Sequence, residues 1–235
     1  SCTYCIPGQF QSALEKTNCT FCYVGRYRST PEGSDCSDCD AGMYMGMVGA
    51  VACIDCSSGL YAPIAAMTKC IGCELGRYQP AEGETSCSIC PEGKYTNITH
   101  QLQCFLCVPG QYHNDVERSN CTNCAAGRYQ TGRGHVSCFN CQAGLYDVIV
   151  GSPVDSCIGC EVGRYQDVEA QTSCTFCELG RFQDALATTS CTYCIPGQFQ
   201  SALEKTNCTF CYVGRYRSTP EGSDCSDCDA GMYMG

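Results

Sequence analysis

Twenty-eight of the 235 residues are cysteine, and they stand in fourteen C-x2-C pairs from Cys2 and Cys5 to Cys225 and Cys228. The step between pairs is 17 residues, broken once by a step of 19 between Cys138 and Cys157. Thiols at this spacing support three chemistries. Oxidised from one pair to another they make a disulfide framework. As thiolates in fours they hold tetrahedral zinc. Oxidised within a pair they make a redox site, which needs a thioredoxin-like βαβ setting that nothing around these pairs supplies.

The repeat itself restricts the pairing. Ser1 to Gly46 and Ser190 to Gly235 are the same string at an offset of 189 residues, which is ten steps of 17 and one of 19, so eleven short units make one long repeat. A module of two units, bonded first cysteine to first and second to second, falls out of register after an odd number of units. The identical stretches would then be bonded differently, and zinc sites that use cysteines in fours meet the same difficulty. The most economical scheme repeats in every unit and joins each second cysteine to the next first one. It pairs Cys5 with Cys19, Cys22 with Cys36, Cys39 with Cys53, Cys56 with Cys70, Cys73 with Cys87, Cys90 with Cys104 and Cys107 with Cys121. It continues with Cys124 and Cys138, Cys141 and Cys157, Cys160 and Cys174, Cys177 and Cys191, Cys194 and Cys208, and Cys211 and Cys225, leaving Cys2 and Cys228 to partners beyond the window.

Composition agrees with a crosslinked scaffold. Cysteine makes up roughly 12% of the chain, above the level that marks a small secreted disulfide protein, and tryptophan is absent. With so little apolar area per unit, a conventional core cannot offset the conformational entropy of the chain, and crosslinks must substitute for it. The net charge of −10 argues against nucleic acid as a partner, because phosphate binding needs clustered Lys and Arg. There is no apolar run long enough to span a bilayer, so no membrane segment is expected in this window, and the chain reads as part of a longer exported protein.

Stepping outward from the cysteines, every pair is followed three residues on by a glycine and two further by an aromatic, as in Cys22, Gly25 and Tyr27. Glycine permits φ > 0 and close backbone approach, here expected beside the disulfide, and the ring is expected to cover that bond and touch the next unit. The aromatics run from Phe10 and Tyr27 to Tyr216 and Tyr233. The segment after each aromatic is rich in Gly, Pro, Ser, Thr and Asp and reads as a turn. The expected fold is therefore a set of small disulfide-rich repeats forming an elongated, solenoid-like rod of short β-hairpin and loop units with little helix. Residues 1–189 form one long repeat and 190–235 the start of the next.

The pattern C-x2-C-x2-G-x-[Tyr/Phe], with a polar loop before the next C-x2-C, resembles the ephrin-receptor-like and EGF-like cysteine-rich tandem repeats of extracellular proteins. Such repeats also occur in fibrous or flagellar-hair (mastigoneme-type) proteins. The stretch from Cys22 through Gly25 and Tyr27 to Cys36 is similar to the first submodule of tumour-necrosis-factor-receptor cysteine-rich domains. That likeness implies the pairing already reached, since the cysteine before Gly-x-aromatic bonds the next one along. The second submodule of those receptors is missing from this chain.

Sequons at Asn18, Asn97, Asn120 and Asn207 are candidate N-glycosylation sites, three of them just before a first cysteine, and covalent glycans are the expected attachments. Three apolar stretches interrupt the polar loops: Met43, Met45, Met47 and Val48; Ile64 and Met67; and Val148, Ile149 and Val150 in the longer unit. They read as local packing or as contact patches for copies of the chain, since exposed apolar patches mark interfaces. All six methionines lie in the first two or in the copy at Met232 and Met234. The acidic trio Asp35, Asp38 and Asp40 offers oxygen ligands for weak calcium binding without EF-hand spacing. His100, His113 and His135 share no repeat position and are expected at the surface. With no Ser/His/Asp arrangement and no phosphate-cradling loop, neither an enzyme nor a cofactor is expected. The reading is a cell-surface or secreted structural glycoprotein that forms a disulfide-stabilised filament by tandem repetition and self-assembly. The alternatives are a receptor or adhesion ectodomain for a protein ligand, and a cysteine-rich metal-binding protein.

Overall fold

A computed structural model of the chain describes residues 3–13, 17–31 and 33–232; Cys2, Tyr233 and Met234 lie outside the described residues. Thirteen two-stranded antiparallel hairpins recur from Gln9–Phe10 with Thr20–Phe21 to Arg215–Tyr216 with Ser226–Asp227, and no helix occurs among the described residues. Each strand is two residues long. The first carries the aromatic and the residue before it, and the second carries the two residues inside the next C-x2-C pair. Small disulfide-rich hairpin repeats are thus the architecture.

Thirteen disulfides close the hairpins, each from a second cysteine to the next first one, Cys5–Cys19 through Cys211–Cys225. The sequence separation is 14 in all but Cys141–Cys157, where it is 16. Cys228 has no partner among the described residues. A crosslink over a loop of this length contributes about 3 kcal/mol in the chain-entropy model. The core is built from these bonds: second cysteines such as Cys22, Cys73 and Cys124 are 0% exposed, while no large aliphatic residue among the described residues is fully buried.

Successive repeats are held by the backbone. The N–H of each motif glycine from Gly8 to Gly197 donates to the carbonyl of the residue just after the next repeat's aromatic, as Gly25 to Met45 at 2.7 Å and Gly76 to Thr96 at 3.1 Å. That residue's own N–H reaches the following repeat, as Met45 to Met67 at 3.0 Å. A loop residue two repeats on closes the set: Ala66 donates to the Cys39 carbonyl at 2.8 Å, and its own carbonyl lies over Gly25, where an added Cβ would sit 2.2 Å from the oxygen. The glycine is therefore needed for the backbone of a later repeat and not, as its place in the motif suggests, for the disulfide. Loop residues in this role take positive φ even when they are not glycine, among them Ala66 at 59°, His100 at 63°, Glu117 at 60° and Glu204 at 58°. A left-handed residue of that kind costs about 1 kcal/mol, which the bonds on both of its sides offset.

The residue after the aromatic is the best buried side chain outside the cysteines. Gln79, Gln130, Gln166, Gln183 and Gln200 occupy it and are all buried, Gln130 to 1% exposure. Each amide staples its own loop: Gln130 Nε2 donates to the Ser137 carbonyl at 2.7 Å, and its Oε1 accepts from the Gly132 N–H at 3.0 Å. Arg28 imitates this with bonds to the Thr30 and Asp35 carbonyls. The longer unit uses Asp147 instead, which accepts from the Ile149 N–H at 2.9 Å and from the Ser156 hydroxyl, so two inserted residues are absorbed without loss of the staple.

The chain divides into two compact units, Ser1–Cys107 with His113–Cys121 and Val108–Tyr112 with Thr122–Gly235. The same ladder runs inside each. Gly76→Ala and Gly151→Ala separate its two costs. Both glycines have positive φ, but an added Cβ at Gly76 meets the Glu117 backbone at 2.4 Å, whereas at Gly151 its nearest neighbour is the Asn123 side chain at 3.4 Å. Each substitution should cost about 1 kcal/mol for the backbone conformation, and the first a further 1–3 kcal/mol or so for overpacking. Amide hydrogen exchange should show protection lost at both Gly76 and the Glu117 loop in the first variant, and only a local change in the second.

Candidate functional site

The candidate functional side chains recur on successive repeats. The aromatics from Phe10 to Phe199 are half-buried, and Tyr216 is exposed. Across the hairpin each faces the residue after a first cysteine, with Tyr95 and Phe105 6.1 Å apart between ring centroids and Tyr129 and Phe139 5.7 Å apart. Such ring pairs add to the stability of a short strand pair.

In half of the repeats the position before the aromatic carries a positive charge, as at Arg26, Arg77, Lys94 and Arg164. Arg26 pairs with Asp38 at 2.6 Å and Asp35 at 3.1 Å, and Arg215 repeats the arrangement with Asp227 and Asp224. The Cys36 N–H, followed by Arg26, holds the Asp35 carboxyl below its ordinary range. Two of the three carboxylates read as calcium ligands are thus committed to an arginine, and no group of three or more metal-binding side chains occurs among the described residues. Zinc fares likewise, because twenty-six cysteines are in disulfides and a disulfide sulfur is no thiolate ligand. Arg77 pairs with Glu117 and Arg164 with Glu204, two repeats along. The Arg164 and Arg181 guanidinium groups lie 4.4 and 4.0 Å from the Phe176 and Tyr193 ring centroids.

Asn18, Asn97, Asn120 and Asn207 are all exposed, which leaves room for a glycan at each. Of the apolar residues read as contact patches, Met47, Val48, Ile64, Val148, Ile149 and Val150 are exposed, with values from 50% to 68%. Met43 and Met67 are half-buried, while Met45 is 4% exposed. Met45 takes the position that glutamine holds elsewhere, so it supports the loop from below and forms the floor of the surface there. Above it lies an open apolar depression of about 380 Å³ lined by Met47, Val48, Val51 and Ile54.

His113 also departs from the sequence reading. It is 3% exposed, at the glutamine position of its repeat, and its Nε2 is buried without a hydrogen-bond partner. The buried glutamines were equally hidden in the sequence, where they look like the first residue of a polar loop; the signal was their spacing of seven before a first-cysteine neighbour.

Residues 59–104 and 110–155 match the family profile described as tyrosine-protein kinase ephrin type A/B receptor-like. These two stretches are ephrin-receptor-like cysteine-rich repeats. The two matched stretches start at Gly59 and Gly110, both motif glycines, three repeats apart. No curated protein matches the chain. Ephrin-receptor-like repeats with a disulfide in each describe a receptor-like or structural repeat protein suited to an oxidising compartment. No helix among the described residues is long and apolar enough to cross a membrane.

Burial, then the Arg118 charge, pushes the His113 imidazole below its ordinary value of 6.5, against the smaller opposing pull of Asp115 and Glu92. The folded state thus holds the neutral ring. As pH falls through 6.5 the unfolded chain takes up a proton that the folded chain does not, so stability is present above that value and lost toward acid. His113→Gln should remove this dependence and gain about 1–2 kcal/mol by making the amide staple seen in the other repeats. Melting temperatures of the two proteins between neutral pH and pH 5 would check both effects.

Proposed function

We propose that this chain is an extracellular structural protein that builds a disulfide-stabilised, glycosylated filament by associating with copies of itself. The observation that carries the reading is the recurrence of 46 identical residues at an offset of 189, in a chain whose repeats are closed by the same disulfide and, within each compact unit, joined by the same kind of backbone bonds. A surface that recurs with a fixed register suits lateral or end-on assembly, whereas a protein-ligand receptor needs one or two unlike repeats that make a unique face. The role is mechanical and non-catalytic. A crosslink in each repeat keeps local unfolding from spreading, sugars at Asn18, Asn97, Asn120 and Asn207 shield the surface, and the apolar loops at Met47–Val48, Ile64 and Val148–Val150 are the contacts between copies.

Electron microscopy of native, full-length material tests this. Filaments with an axial repeat commensurate with eleven units are expected, and short isolated particles would overturn the proposal. Replacing Met47, Val48, Val148 and Val150 by glutamate should raise the concentration needed for assembly by more than about tenfold, because burying even one such side chain is worth about 1.5–3 kcal/mol. Unchanged assembly would remove these loops from the interface.

A further inference from the structure

We propose that the protein has a recurring subsite for a neutral pyranose, formed where the aromatic of one repeat meets the charged strand of the next. In the first unit, Tyr61, Glu74, Arg77, Ser86 and Glu117 line a depression of about 300 Å³ against the buried Cys87. In the second unit, Tyr146, Glu161, Arg164 and Ser173 line its counterpart of about 160 Å³, with Glu204 paired to Arg164. The same types appear once more at Tyr165, Glu178, Arg181 and Ser190.

The fold supplies such a hollow without specifying its lining. At the same place Tyr78 is accompanied by Pro91, Lys94 and Gln103, which lack the carboxylate, the planar donor and the hydroxyl. The Tyr, Glu, Arg, Ser and distal Glu set is present as a whole at both depressions, although the loops leading into them, Ala62–Lys69 and Asp147–Ser156, have little in common, and Glu221 completes the same set for Tyr165. A role confined to the ion pair would need only the Arg and the distal Glu.

The chemistry fits a sugar ring. The half-buried Tyr61 offers an aromatic surface for the C–H face of a pyranose. The exposed Glu74 carboxylate accepts from adjacent hydroxyls, Arg77 retains N–H donors beyond the one given to Glu117, and Ser86 can donate or accept. Arg77 is held by Glu117, so its fork is positioned before any ligand arrives, which lowers the cost of ordering on binding. One guanidinium beside two carboxylates leaves the hollow negative, which favours neutral sugars and disfavours sulfated or uronic ones. Its volume suits a single ring. The saccharide is either free or the N-linked sugar of another copy, and the chemistry of recognition is the same for both.

Saturation-transfer NMR on the enzymatically deglycosylated chain, kept too dilute to assemble, tests the site separately from the filament. The probes are the methyl glycosides of glucose, galactose, mannose and N-acetylglucosamine, with glucuronate and galactose 6-sulfate as anionic controls. Transfer to at least one neutral glycoside at millimolar concentration is expected, falling at least about tenfold in the triple variant E74A/E161A/E178A. These glutamates sit at exposed turns, and an unchanged circular dichroism spectrum would show that the variant is folded. No transfer to any neutral sugar, transfer to the anionic controls alone, or equal transfer in the folded variant would overturn the proposal. A second arm adds the released N-glycan of the same protein; binding to it, lost in the variant, identifies a neighbouring copy as the source, and binding to the simple glycosides alone identifies a free saccharide.

Discussion

The fold depends on how closely the backbone of one repeat approaches that of the repeat two steps later. At Gly25 the carbonyl of Ala66 occupies the space a side chain would need, and the equivalent contact recurs at Gly42 with Gly83 and at Gly163 with Glu204. A contact this short can be made only by a residue without Cβ and with positive φ. It allows three consecutive repeats to share hydrogen bonds, because the same glycine donates its N–H to the repeat between them. A hairpin with strands of two residues would not survive alone in water. Here each is closed by a disulfide and flanked by backbone partners on both sides, so cooperativity comes from neighbours, as in other one-dimensional arrays.

The disulfides do what apolar burial does elsewhere. The second cysteines from Cys22 to Cys194 are fully buried while many large apolar residues, Phe21 and Ile54 among them, stay in contact with solvent. The division of labour follows from size. About 17 residues cannot enclose a core, so the crosslink reduces the entropy of the unfolded loop and the buried glutamine orders what remains of it. Where the glutamine is replaced, the substitutes show what the position demands. Arg28 and Asp147 restore polar staples, Met45 and Ala62 fill the space without bonding, and His113 fills it at the cost of an unpaired ring nitrogen.

This also explains which features could be read from the sequence. Hairpins, the turn after each aromatic and an all-β repeat architecture were visible because they depend on residue types that recur without exception: Cys, Gly and an aromatic. The cysteine pairing followed from counting an odd number of units. The buried position after the aromatic was not visible, because backbone bonds fix it and the side chain is free to be Gln, Arg, Met, Ala, Thr, His or Asp. Periodicity of type, the usual signal of burial, is absent there. For the same reason Met45 read as part of a contact patch and His113 as a surface residue. The role of glycine was misplaced for a different reason: its partner lies 41 residues away, and no local pattern announces it.

A ladder fixed by backbone bonds has a functional consequence. Side chains on the outer face carry little of the stability, so neighbouring repeats can differ widely there while keeping the same hairpin and the same crosslink. Arg26 with Asp35 and Asp38, Arg77 with Glu117, and Arg181 over Tyr193 are three solutions at one repeat position, each compatible with the same backbone. Exposed ion pairs of this sort add little to folding, commonly less than about 1 kcal/mol. Their variation from repeat to repeat is therefore a pattern written on the surface with almost no structural penalty. The 46 residues that recur at 189 repeat that surface pattern as well as the scaffold, and a scaffold this tolerant of surface change does not by itself require it.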